Sequence, residues 1–211
     1  MPEQQSRSDS RQRIIDTATA LFVRDGYKAT SIKSIAKDVG VSPPALYWHF
    51  PSKQDLFLAC MEQLLTAFID SVVQSVDAED PVDRLRQFTT AHVRWQLDER
   101  ESAGAYATTV GMRDLVRTLP AKHRRRLVDK QRGYLNFLRE ILDAGVAAGA
   151  FHIEDARVTG FAIITMCEYV HTWYDPTGEL APETVGTLYA DLVVAMVGGG
   201  VPAKRPTSRR R

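Results

Sequence analysis

The sequence predicts an all-α fold, and two observations carry the prediction. Apolar residues recur at the three- and four-residue intervals of an amphipathic helix along most of the chain, with no credible run of alternating strand residues. Breakers punctuate that pattern at "RDG", "VGVSPP", Pro120, Gly145 with Gly149, "DPTGELAP" and "GGG".

Each element follows from its own stripe. Residues 1–10 are polar and aperiodic and read as a disordered arm, with order starting near Ser10 or Arg11. Ile14, Ile15, Ala18, Leu21 and Phe22 line one face of a first helix, and Gly26 is its expected left-handed terminator. Thr30 or Ser31 caps a short second helix with Ile32, Ile35, Ala36 and Val39 on its apolar face, and Gly40 ends it. Ser42 caps again after a tight turn, so a short helix, a glycine-containing turn and another short helix make a helix-turn-helix. From Asp55 to Ile69, Leu56, Phe57, Cys60, Leu64, Leu65 and Phe68 mark a long fourth helix running on toward Val76. Helical spacing then recurs near 82–98, 101–117, 121–148, 154–174 and 183–197. The short-helix punctuation stops near residue 53, which divides the chain into the arm, a domain over 11–53, a larger helical domain over 54–200, and a basic tail over 201–211.

With 211 residues, 44% of them apolar and 25% charged, the chain is long enough to bury a core without disulfides, and its composition is that of a water-soluble protein. Cys60 and Cys167 sit in apolar helical patterns without CxxC spacing, so both are expected as buried free thiols in a reducing cytoplasm. The first residues, "MPEQQSRSDSRQR", lack the apolar core of a signal peptide, and no run of about eighteen apolar residues appears, so no membrane association is expected. A net charge of +1 implies nothing alone, but Lys28, Lys33, Lys37 and Lys53 face only Asp38 between positions 28 and 53, and "KRPTSRRR" holds no acid. Positive charge is concentrated where a polyanion could use it.

The chemistry concentrates in "VSPPALYWHF", Val41 to Phe50. The first N–H groups of a helix have no carbonyl partner, so proline costs nothing there and its fixed φ suits the first turn. Pro43 and Pro44 therefore mark a helix start, although a residue before proline is pushed from the α region, which would set Pro43 outside the regular helix. Leu46 and Phe50 are four apart and can share a core-facing side, leaving Tyr47, Trp48 and His49 pointing elsewhere beside small Ala45. Tyr, His and Trp donate readily to phosphate oxygens, and Lys53 adds charge at the start of the next helix. Such donors on a short helix suit a nucleic-acid backbone, while packing of Tyr47 and Trp48 against the fourth helix and a packing or capping role for His49 are the competing assignments.

From Arg13 to Leu65 the chain, including "ALF…GY.ATS", "IAK.VGVS" and "LYWHFPSKQDLF", resembles the DNA-binding domain of the TetR (tetracycline repressor) family of transcriptional regulators. The resemblance implies a three-helix helix-turn-helix DNA-binding domain followed by a helical ligand-binding and dimerisation domain. It implies that Thr30 or Ser31 caps the second helix against a phosphate and that Lys33 reaches base edges or backbone. Ser42, Pro44, Ala45, Tyr47 and Trp48 would lie on the recognition helix in the major groove, with His49 and Lys53 as backbone anchors. Pro44 and bulky Trp48 depart from the small or polar residues such helices often carry there.

Residues 80–200 resemble, more loosely, family members that respond to acyl-CoA thioesters, through "MRDLVRTLPAKHRRRLVDKQRGYLNFLREILDAGVAAGAF" and "TWYDPTGELAPETVGTLYADLVV". Trp95, Tyr106, Met112, Phe137, Phe161, Met166, Tyr169 and Trp173 supply apolar, adaptable surface for a pocket, against the alternative that each is ordinary core. "KHRRR" at 122–126, with Arg113, Arg117, Lys130 and Arg132, could meet the phosphates of such an effector or form a solvated face. The last two helices carry apolar stripes through Val158, Phe161, Ala162, Thr165 and Tyr169 and through Leu188, Leu192, Val193 and Met196, which by resemblance would pair with their copies in a homodimer. The expected protein is a cytoplasmic homodimeric repressor binding a palindromic operator and released by a small hydrophobic effector, possible classes being acyl-CoA thioesters or, in an efflux regulator, hydrophobic drugs. A helix-turn-helix dimer without any effector is the rival binding module. Catalysis has no visible apparatus, with no GxSxG, P-loop, GxGxxG after a strand or HExxH, and the Glu168 and His171 pair alone makes no metal site. No cofactor is expected.

Overall fold

A computed structural model describes residues 2–98 and 121–198, and every regular element among them is helical. Helices α1 (Pro2–Ala29), α2 (Ile32–Val39), α3 (Pro43–His49), α4 (Lys53–Gln74), α5 (Pro81–Leu97), α6 (Ala121–Ala147), α7 (Ala156–Glu168) and α8 (Pro182–Met196) follow in order, with a 3-10 turn at Tyr169–Thr172 after α7. The helix expected over 101–117 and the basic tail over 201–211 lie outside the described residues. The chain forms two compact units, Met1–Asp70 with Glu99–Gln131 and Ser71–Asp98 with Arg132–Arg211.

In the first unit, the predicted stripe of Ile14, Ile15, Ala18, Leu21 and Phe22 is buried along α1. The disordered arm expected over residues 1–10 is corrected: α1 begins at Pro2. A helix already nucleated by a buried stripe extends at little cost through Glu, Gln and Arg, and proline is tolerated in its first turn. Gly26 does break the helical dihedrals, at φ 79° and ψ 160°, but in an extended positive-φ conformation, and one more turn follows it. Ser31 is the N-cap of α2, accepting from the Ser34 amide at 3.0 Å while the Ser34 hydroxyl accepts from the Ser31 amide at 3.1 Å. Gly40, at φ 79° and ψ 33°, closes α2 in the left-handed conformation, and the Val41 amide donates to the Ala36 carbonyl at 2.9 Å.

Helix α3 opens at Pro43 itself, inside the helix rather than before it, with the Ser42 hydroxyl accepting from the Ala45 amide at 3.3 Å. Leu56, Phe57, Leu58, Cys60, Met61 and Leu65 of α4 are buried in the same core as Ile14, Ile35 and Leu46. The first unit therefore runs to Asp70, past the division expected near residue 53, because these side chains complete its core. By length and composition α4 could cross a membrane, but this buried row is what a core helix of a globular unit requires. Phe22, Tyr27 and Phe57 close one end of the core, with ring centroids 5.0 Å apart for Phe22 and Phe57 and 4.8 Å for Tyr27 and Phe57.

In the second unit, α5 packs chiefly on α8, where Gly186 lets the backbones approach: a Cβ there would stand 3.2 Å from the Thr90 carbonyl oxygen. Arg86 pairs with Asp191 across the same two helices. After α6 the chain reverses at Gly149 (φ 72°), and Phe151 folds back on Gly145 so closely that a Cβ on Gly145 would fall 1.9 Å from its ring. The His152 amide donates to the Val197 carbonyl at 2.8 Å, tying this reversal to the end of α8.

Candidate functional site

Helix α3 has seven residues, too few to stand alone, and its placement rests on Leu46, fully buried, and Phe50, 3% exposed. With that side fixed, Tyr47 is 49% exposed and Trp48 65% exposed. Ser42, Pro44 and Ala45 are exposed as well, and His49 is half-buried with its ring 4.9 Å from that of Trp48. On α2, Lys33 and Lys37 are exposed. Ser31 is exposed and holds the first turn of α2 through its cap.

Thr30 departs from its expected phosphate contact. Its side chain is buried and its hydroxyl donates to the Gly26 carbonyl at 2.9 Å, so it seals the α1 kink instead. Lys53 begins α4, its Nζ lying 4.3 Å from the Tyr27 ring centroid, and partial burial lowers its pKa. Three residues that the sequence did not single out hold this surface in place. Tyr27 seats Lys53, Arg13 donates from Nη2 to the Val39 carbonyl at 3.2 Å, and the Arg11 guanidinium lies 4.9 Å from the Phe50 ring centroid. Helical periodicity identifies faces but not partners across distant helices, so only the crowding of Arg and Tyr near the stripe hinted at these roles.

Of the residues expected to line a pocket, Trp95, Phe137 and Met166 are half-buried in the second unit. Tyr106 and Met112 lie outside the described residues, as do Arg113, Arg117 and the side chains of residues 122–124. Tyr169 and Trp173 are corrected: at 42% and 52% exposure they face outward. Helical spacing accounts for Tyr169, which continues the exposed row of Phe161 and Thr165 while Gly160, Ile163, Cys167 and Val170 form the buried one, and Trp173 follows at the end of the 3-10 turn. Trp173 instead stacks on Tyr189 at 6.2 Å and donates from Nε1 to its hydroxyl at 3.0 Å. Arg125 and Arg126 are exposed, and Arg125 faces Asp129 one turn on at 3.9 Å. The His171 ring lies 2.7 Å through Nδ1 from the Glu168 carbonyl oxygen, a local turn contact rather than a ligand pair.

The expected interface residues Phe161, Thr165, Leu188, Leu192 and Met196 are all exposed, together with Val158. They recur at three- and four-residue intervals on α7 and α8, exposed and, apart from Thr165, apolar.

Sequence reasoning missed a buried polar group in the second unit. His92 and Gln96, one turn apart on α5, are buried, and the Tyr134 hydroxyl sits 2.8 Å from His92 Nδ1, with Phe88 stacked 5.2 Å from the Tyr134 ring. Burial pushes the His92 pKa from 6.5 down to about 3. Because the folded value is depressed, the neutral imidazole favours the fold fully above pH of about 6.5. That contribution is lost as pH falls toward 3, by about 1.4 kcal/mol per pH unit. His92→Gln is expected to flatten the loss of stability between pH 7 and 5, measured by urea unfolding; an unchanged acid slope would contradict this assignment.

The comparisons with known proteins bear on both units. Residues 14–60 match the family described as bacterial regulatory proteins, tetR family, and residues 78–197 match that described as tetracyclin repressor-like, C-terminal domain. The transcriptional repressor KstR2 of Mycolicibacterium smegmatis is 28% identical over 213 residues, covering 95% of each chain. The biofilm operon negative regulator IcaR of Staphylococcus epidermidis is 31% identical over 90 residues, 43% of this chain and 48% of that protein, so the likeness spans about half of it. A solved regulatory protein of the tetR family from Rhodococcus RHA1 superposes with a TM-score of 0.78 at 27% identity, over 90% of this chain and 98% of that one. AibR, solved in complex with isovaleryl coenzyme A and operator DNA, shares the fold with a TM-score of 0.74 at 24% identity, over 90% of this chain and 100% of that one. With a helix-turn-helix match at one end and a C-terminal match over more than half its length, the chain belongs to the TetR family of bacterial regulatory proteins.

Proposed function

We propose that the protein is a cytoplasmic homodimeric transcriptional repressor that binds a near-palindromic operator and is released by a small hydrophobic effector, an acyl-CoA thioester. The observation that carries the DNA reading is the division of α3, with Leu46 and Phe50 held in the core while Tyr47 and Trp48 stand in solvent. In this reading Pro44, Ala45, Tyr47 and Trp48 enter the major groove, and Ser31, Lys33, Ser42, His49 and Lys53 line the phosphates. Two-fold pairing through Phe161, Thr165, Leu188, Leu192 and Met196 sets two copies of α3 for half-sites about 34 Å apart.

Support for repression comes from the whole-chain likeness to KstR2. The effector is assigned to the second unit, where Trp95, Phe137 and Met166 offer adaptable apolar walls near the buried His92, Gln96 and Tyr134. The complex of AibR shows that this fold accommodates a thioester of coenzyme A in that protein. An effector that binds the released form more tightly shifts the population away from the DNA-binding state.

Thermal-shift measurements on the full-length protein test the effector, with isovaleryl-CoA and palmitoyl-CoA set beside free fatty acids, aromatic compounds and cationic drugs. An acyl-CoA is expected to raise the melting temperature by several degrees at saturation and to displace the protein from DNA. Stabilisation by non-thioester compounds alone would overturn the acyl-CoA assignment.

A further inference from the structure

We infer that α3 reads its operator chiefly through thymine methyl groups, so that half-site recognition depends on A·T pairs presenting those methyls and not on guanine. The inference rests on the DNA-binding reading above. In the major groove, guanine is distinguished by O6 and N7 accepting from two donors on one side chain, adenine by N7 and N6 against an amide, and cytosine by N4 donating to a carboxylate. Helix α3, Pro43 to His49, carries no guanidinium, ammonium, amide or carboxylate. None of those bidentate or charged pairings is open to it.

What α3 exposes is of a different kind. Pro44 and Ala45 present only carbon, while Tyr47 and Trp48 present broad rings with one polar atom each. A single hydroxyl or indole N–H can satisfy N7 of either purine, O4 of thymine or a phosphate oxygen, so it positions without discriminating. The Ser42 hydroxyl is engaged as the α3 cap, and His49 is half-buried beside Trp48. Lys33 and Lys37 stand on α2, outside α3, and Lys33 is assigned to the phosphates in the reading above. The one base feature that carbon surfaces recognise is the C5 methyl of thymine, and the rigid proline and tryptophan rings give up little freedom in packing against it.

The test uses a duplex selected by the full-length protein from a random-sequence pool, resynthesised with deoxyuridine in place of each thymine in turn. This exchange removes the methyl and leaves every hydrogen-bonding group. Loss of one contacted methyl is expected to weaken binding roughly fourfold, and symmetric loss in both half-sites more than tenfold. Replacing guanine by 7-deazaguanine is expected to cost no more than the loss of one contacted methyl, since α3 can offer N7 at most a single neutral hydrogen bond and cannot pair with N7 and O6 together. Trp48→Ala is expected to abolish the deoxyuridine effect at one thymine per half-site while leaving the others. Deoxyuridine without effect at every position, or 7-deazaguanine costing more than deoxyuridine, would overturn methyl readout while leaving DNA binding intact. Failure to select any duplex would remove the DNA-binding reading itself, and this inference with it.

Discussion

Leu192→Glu is expected to convert the protein from a dimer to a monomer and to weaken operator binding by about a hundredfold or more. Leu192 is 59% exposed on α8, between Leu188 and Met196 on the same face, with Phe161 and Val158 exposed on α7. In the proposed dimer a glutamate there would lose its hydration against apolar neighbours, a cost of several kcal/mol that a helix-pair interface does not offset. In a monomer it would stay solvated, so helicity and core packing are retained. Multi-angle light scattering reads the mass, and fluorescence anisotropy reads DNA binding, where losing the second tethered half-site removes the gain from effective concentration. An unchanged dimer mass would place the interface elsewhere.

Leu46→Ala is expected to destabilise the first unit by about 2–5 kcal/mol and to abolish sequence-specific binding. Leu46 is the one fully buried side chain of α3, and with Phe50 it fixes the helix that presents Tyr47 and Trp48. Removing it leaves a cavity under a helix too short to hold itself. Tyr47→Ala, at an exposed position, is expected to change stability by less than about 0.5 kcal/mol in urea unfolding, so the pair separates folding from contact. Similar stability losses for the two variants would contradict the division of α3 into anchor and contact sides.

Much of this was legible in the chain because the signals are local. Ser31, Gly40 and Ser42 mark caps and terminators by chemistry acting within a few residues, and the structure places each at the expected helix end. The stripe of α1 and the Leu46 and Phe50 anchors follow from spacing alone. The start of α1 at Pro2 was not legible, since a polar stretch carries no stripe and its helicity is inherited from the turn that follows. Thr30 and Ser31 are both good caps in sequence, and only the fold shows that the first is buried on the Gly26 carbonyl. Tyr169 and Trp173 are pocket candidates by residue type, but Tyr169 continues the exposed row of Phe161 and Thr165, and only the fold shows which row of α7 is the buried one. The contact of His92 with Tyr134 joins two helices far apart in the chain, where no periodicity could reveal it.

The salt dependence of operator binding, measured for the full-length protein and for Tyr47→Ala and Lys53→Ala, tests the account most directly. Both variants are expected to bind more weakly with the fold intact, and Lys53→Ala to reduce the slope of log affinity against log salt by about 0.9 per phosphate contact in each half-site. Affinity and slope unchanged in both variants would contradict the assignment of α3 and the start of α4 as the DNA-binding surface.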